Sequence, residues 1–87
     1  MEKYITCGVQ QEIPLWLQWL MWEMIDELPV AKDYLQIFNL SAYHGKQRVV
    51  HKQEQPTYEK EYLFFADEII TGKIYVIDGV MMLSEEY

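Results

Sequence analysis

Few residues of this chain have side chains able to do covalent or metal chemistry. There is one cysteine, Cys7, and two histidines, His44 and His51. A Cys–His nucleophile pair needs a base beside the thiol, and no charged neighbour in sequence would activate Cys7. Cys7 stands beside Gly8 in the strand-like run YITCGV and is expected to be packed. Two histidines seven residues apart and one distant cysteine match no zinc spacing. The acid pairs Asp67-Glu68 and Glu85-Glu86 are adjacent, so on a strand they point to opposite faces rather than forming a two-carboxylate site. There is no glycine-rich phosphate loop, no Gly-x-Ser-x-Gly and no Glu-x-x-His pair. No catalytic residue, metal ligand set or cofactor is expected, and a small enzyme built on Cys7 stays as a minor alternative.

The remaining signal is aromatic. WLQWLMW, residues 16 to 22, sets Trp16, Trp19 and Trp22 at strict three-residue spacing. On a helix advancing about 100° per residue, Leu17, Leu20, Met21, Met24, Ile25 and Leu28 form a core-facing stripe about 140° wide. The three indoles then centre nearly opposite it, with Glu23, Asp26 and Glu27 on their side in the later turns. A second apolar face needs cover from the chain's own 58–71 segment, from a second copy in a homodimer, or from another protein. Trp16, Trp19, Trp22 and Glu23 are therefore the candidate partner-binding residues.

A weaker signal is the basic stretch 44–52. If it forms a strand, Lys46, Arg48 and Lys52 share one face. Such charges ordinarily guard an edge strand against pairing, and the cluster is too small for a general nucleic-acid binder.

These groups must be positioned by a small fold. Eighty-seven residues make one domain, with half the residues hydrophobic and 15% aromatic. Fourteen acidic residues against seven basic ones give a net charge of −7, which disfavours nucleic acid and anionic membranes and favours basic protein surfaces. A single cysteine allows no internal disulfide, and Met1 leads into no signal-like segment. No apolar run is long enough to cross a bilayer. A cytoplasmic domain is expected.

YITCGV reads as a first strand, residues 4 to 9. Pro14 and Pro29 bracket the helix LWLQWLMWEMIDEL. Residues 33 to 44 and KQRVVHKQ read as partner strands joined at Gly45. KIYVI, Asp78-Gly79 and VMML form the clearest hairpin. YEKEYLFFADEII matches a helical face but is strand-like in composition, and residues 58 to 65 are read as strand. The expected fold is α+β: one amphipathic helix on a mainly antiparallel sheet of four or five strands.

The phrases YITCGVQQEIPLWLQWLMWEMIDE, DYLQIFNL, VVHKQEQP and IYVIDGVMMLSEEY resemble a family of small uncharacterised proteins of Gram-positive bacteria and their phages and mobile elements. The resemblance runs over nearly the whole chain and implies a compact α+β domain with no assigned activity. The expected function is a small acidic, non-catalytic interaction protein of unknown partner, self-association through its tryptophan helix being one form of it. The alternative is a phage or mobile-element inhibitor that occupies a basic nucleic-acid-binding surface of a host protein.

Overall fold

A computed structural model describes residues 2–87. In chain order the elements are β1 (Tyr4–Ile5), α1 (Cys7–Glu12), α2 (Leu15–Asp26), β2 (Leu35–Tyr43), β3 (Lys46–Gln53), β4 (Tyr58–Phe64), β5 (Gly72–Ile77) and β6 (Val80–Leu83). A 3-10 turn at Ser84–Glu86 follows. All six strands join one sheet in the order β1-β6-β5-β2-β3-β4, antiparallel except where β1 runs parallel to β6. The α+β class expected from the sequence holds, with six strands and two helices among the described residues in place of four or five strands and one helix.

The second helix arises at the N-terminus. Ile5, Thr6 and Val9 favour a strand by side-chain type, but the Thr6 hydroxyl accepts a hydrogen bond from the Val9 amide at 3.3 Å. That N-cap starts α1 at Cys7 and leaves a strand of two residues. The chain's far end completes the arrangement. The Glu86 carboxylate accepts from the Thr6 hydroxyl at 2.7 Å and from the Leu83 amide at 2.8 Å. A side chain at Gly8 would collide with that carboxylate, at 2.7 Å from its nearest oxygen. The Thr6 hydroxyl, with smaller help from the Leu83 and Gly8 amides, holds the Glu86 carboxyl below its ordinary pKa.

The hairpins follow their turn residues. Asp78 and Gly79 have φ of 48° and 83°, and His44 and Gly45 have 49° and 78°, the positive pairs of tight two-residue turns. Alternation then sorts the sheet's two faces. Phe38, Leu40, Val49, Ile74, Val76, Met81 and Leu83 pack against Val9, Leu17, Met21, Met24 and Ile25 of the helices. The opposite face carries half-buried Leu35, Ile37, Tyr75, Ile77, Val80 and Met82, with Lys46, Arg48, Lys52 and Lys73 beside them. Among the described residues no helix is long and apolar enough to cross a membrane.

Candidate functional site

The helix α2 is apolar almost all round, so its sequence leaves the buried side underdetermined. Two polar details settle it. The buried Gln18 amide donates to the Ile13 carbonyl at 2.8 Å, satisfying backbone at the α1–α2 junction. Lys3 lies 5.9 Å from the Trp22 ring and pairs with Asp26 at 2.8 Å, capping that flank. The buried stripe is therefore Leu17, Gln18, Met21, Trp22, Met24 and Ile25. On the same wheel it is turned by about 50° from the stripe expected from periodicity.

The three indoles consequently part company. Trp22 is only 9% exposed and belongs to the core, which corrects its place among the partner-binding candidates. Trp19 stands on the solvent crest at 69% exposure, with Leu15 one turn before it and Glu23 one turn after. Trp16 leans to the sheet's end and meets Phe64 edge to face, centroids 6.4 Å apart.

Trp16 and Phe64 begin a groove between α2 and β4, the last strand of the sheet. At this end a cleft of about 660 Å³ is lined by Trp16, Phe64, Phe65, Ala66, Asp67 and Glu68. At the other end a second cleft, about 290 Å³, is lined by Met24, Glu27, Tyr58, Lys60 and Tyr62. The residue order shows that α2 and β4 run antiparallel along the groove. Phe65 is 88% exposed, with the Lys46 ammonium 4.9 Å from its ring centre. Asp67 and Glu68 rim this aromatic cleft, and Glu23 lies beside Trp19 on the flank shared with Lys3, Trp22 and Asp26.

Buried glutamines hold the irregular segments that form these walls. Gln47 donates to the Ile70 carbonyl at 2.9 Å and accepts from the Ile70 amide at 2.7 Å, pinning the loop that carries Phe65 to Glu68. Gln53 donates to the Ala31 and Pro56 carbonyls and accepts from the Asp33 amide. An amide side chain both donates and accepts, so it satisfies buried backbone that no strand or helix pairs.

His51 sits in this polar layer, fully buried and stacked on Phe38 with centroids 4.4 Å apart. Gln36 donates its amide to Asp33 and Gln53, so its oxygen, 2.6 Å from His51 Nε2, must accept. The network thus assigns the proton to Nε2. Among the described residues Nδ1 has no hydrogen-bond partner. Burial pushes the imidazole down to a pKa of about 4, leaving it neutral at pH 7.

The other sequence candidates do not converge. Cys7 is exposed in the first turn of α1, not packed in a strand as expected, because the Thr6 cap ends β1 before it. Lys46, Arg48 and Lys52 do share the open sheet face, but β3 is an interior strand, so they guard no edge. Arg48 pairs with Glu61, and Lys52 lies 3.9 Å from Glu59. Among the described residues no three His, Cys, Asp or Glu side chains come together as a metal site.

Comparison with known proteins places this architecture among Gram-positive bacteria. The family model for staphylococcal proteins of unknown function, DUF960, matches residues 2–86. The crystal structure of a protein of unknown function from Enterococcus faecalis superposes with a TM-score of 0.81 at 22% identity. The match covers 99% of this chain and 90% of that one. At that identity the likeness speaks to fold alone. No curated protein matches the sequence.

Proposed function

The chain belongs to the DUF960 family of staphylococcal proteins of unknown function, and we propose that it is a non-catalytic protein-binding module acting through the aromatic surface of α2 and the β4–β5 loop. The observation that carries this is the exposure of Trp19 and Phe65, at 69% and 88%: Phe65 lines the cleft floored by Trp16 and Phe64, and Trp19 stands three residues along α2 from Trp16. Large aromatic side chains held in water by a fixed backbone are the usual anchors of protein contacts.

The rim selects the partner. Glu23 on α2 and Glu27 just after it are exposed, and Asp67 and Glu68 stand at the cleft, whereas Asp26 is paired with Lys3 and Lys32. A two-fold contact between copies through this surface would bring the two acidic rims together, so the favoured occupant is another protein with an apolar anchor among basic side chains. A basic nucleic-acid-binding surface of a host protein has that chemistry, and the phage or mobile-element setting implied by the resemblance suits it.

The test uses a photo-crosslinking residue at position 65 in producing cells, followed by binding of the purified partner. Trp19→Gln and Phe65→Ser should each weaken binding by about thirtyfold, on the order of 2 kcal/mol. Lys73→Ala, on the open sheet face, should leave it unchanged. Equal binding by all three variants would remove the assignment.

A further inference from the structure

The groove beside β4 says more about the partner than the exposed aromatics alone. Among the described residues β4 ends the sheet, with β3 on one side and no strand on the other. Its ladder to β3 runs without interruption from Gln47↔Phe64 to Gln53↔Tyr58, seven consecutive pairs with no bulge. β4 contains no proline. Folded proteins ordinarily blunt such an edge with a bulge, a proline, a short strand or charged side chains, lysine above all. The opposite edge of this sheet does so by length, since β1 has only two residues. On β4 the guard is charge alone: Glu59 and Glu61 face the open side and are engaged by Lys52 and Arg48, and Lys60 stands on the groove side, where an added strand must meet it with an acceptor.

We propose that the partner presents an extended segment that adds to β4 as a seventh strand, placing alternate side chains in the groove between α2 and β4. This rests on the protein-binding reading above and names the form of the bound segment. Seven strand residues offer a row of backbone donors and acceptors about 20 Å long. The two clefts lie along that row, one opposite Tyr58 to Tyr62 and one beyond Phe64. Lys60, in the middle of the smaller cleft's strand lining, and Phe64, where the larger cleft begins, are on the same face of β4, so side chains on one face of an added strand meet both.

The lining sets the chemistry of each position. The larger cleft joins the Trp16, Phe64 and Phe65 rings to the Asp67 and Glu68 carboxylates. It takes an aromatic or large aliphatic side chain beside a lysine or arginine, whose stem lies on the rings and whose charge meets the acids. The smaller cleft, with Glu27, Lys60 and the Tyr58 and Tyr62 phenols, takes a hydroxyl or amide side chain. A second copy fits the edge less well. Antiparallel self-pairing about residue 59, 60 or 61 sets Glu59, Lys60 or Glu61 against its own equivalent.

The experiment selects a displayed library of random heptapeptides against the immobilised full chain, with the Phe65→Ser protein as counter-selection. The enriched peptide is then synthesised with N-methyl groups at alternate backbone nitrogens in two complementary sets. Strand addition uses only the N–H groups facing β4. One methylated set should therefore lose about tenfold or more in affinity while the other stays within about twofold. Equal effects of both sets, with Phe65→Ser still weakening binding, would overturn strand addition and leave the aromatic contact standing. Peptides with helical rather than alternating spacing would overturn it too, as would no enrichment over the counter-selected protein. A wild-type protein that dimerises and loses the dimer on Lys60→Glu substitution would assign the edge to a second copy and equally overturn it.

Discussion

Trp16 on α2 and Phe64 on β4 meet edge to face, with ring centroids 6.4 Å apart and planes 74° from parallel. This contact ties the helix's first turn to the sheet's last strand and floors the larger cleft. Aromatic pairs of this geometry contribute about 0.5–1.5 kcal/mol beyond the area they bury. A double-mutant cycle with Trp16→Leu and Phe64→Leu, read by urea unfolding, should return a coupling in that range. A coupling of zero would mean the helix end and the edge strand are held independently.

The indoles should respond unequally to substitution. Trp22→Ala should cost about 3–5 kcal/mol, as truncating a buried tryptophan does. Trp19→Gln should stay within about 0.5 kcal/mol, since its side chain touches mainly solvent. Urea denaturation of the two variants checks the order, and similar losses would contradict the orientation of α2.

That orientation shows where the sequence was legible and where it was not. The two hairpins follow from residues adjacent to the turns, Asp78 with Gly79 and His44 with Gly45, so local chemistry suffices. The turn of α2 about its axis depends on Gln18 reaching the Ile13 carbonyl and on Lys3 covering Trp22. Hydrophobic periodicity counts Gln18 as polar and Trp22 as free, and so places both wrongly. α1 escaped notice because its cap, Thr6, is completed by Glu86, eighty positions away. The edge position of β4 likewise depends on strand order, which composition does not report. The cleft lining at Ala66, Asp67 and Glu68 lies in a loop whose shape is set by Gln47 and carries no motif.

His51 should make stability depend on pH in a defined window. Its folded pKa, about 4, lies below the unfolded value of 6.5, so the unfolded chain takes up the proton first as pH falls. The stability that comes from keeping the ring neutral is complete above pH 6.5 and is lost progressively towards pH 4. The loss is up to about 3 kcal/mol at 1.36 kcal/mol per unit. His51→Gln keeps a donor for Gln36 and removes the titration. Urea unfolding at pH 7, 5.5 and 4 should show a steep fall for wild type and a shallower one for the variant.

Gln47→Leu should release the β4–β5 loop by leaving the Ile70 amide and carbonyl without their partner. The expected cost is about 1–3 kcal/mol, that of unsatisfied buried polar groups. Hydrogen exchange at the Ile70 amide should accelerate more than exchange within β2, and partner binding should weaken although no aromatic residue has changed. Unaltered exchange at Ile70 would show that the loop is held by other contacts.

On the proposed function, the aromatic surface stands open for a partner other than another copy of the chain. Iodide quenching of wild type and Trp19→Phe, measured across a concentration series alongside sedimentation equilibrium, tests it on the isolated protein. The prediction is a monomer throughout, with a strongly quenched emission component that disappears in the Trp19→Phe variant. A dimer whose formation shields that component would give the surface to a second copy. A monomer in which Trp19 resists iodide would show that the surface is not open at all.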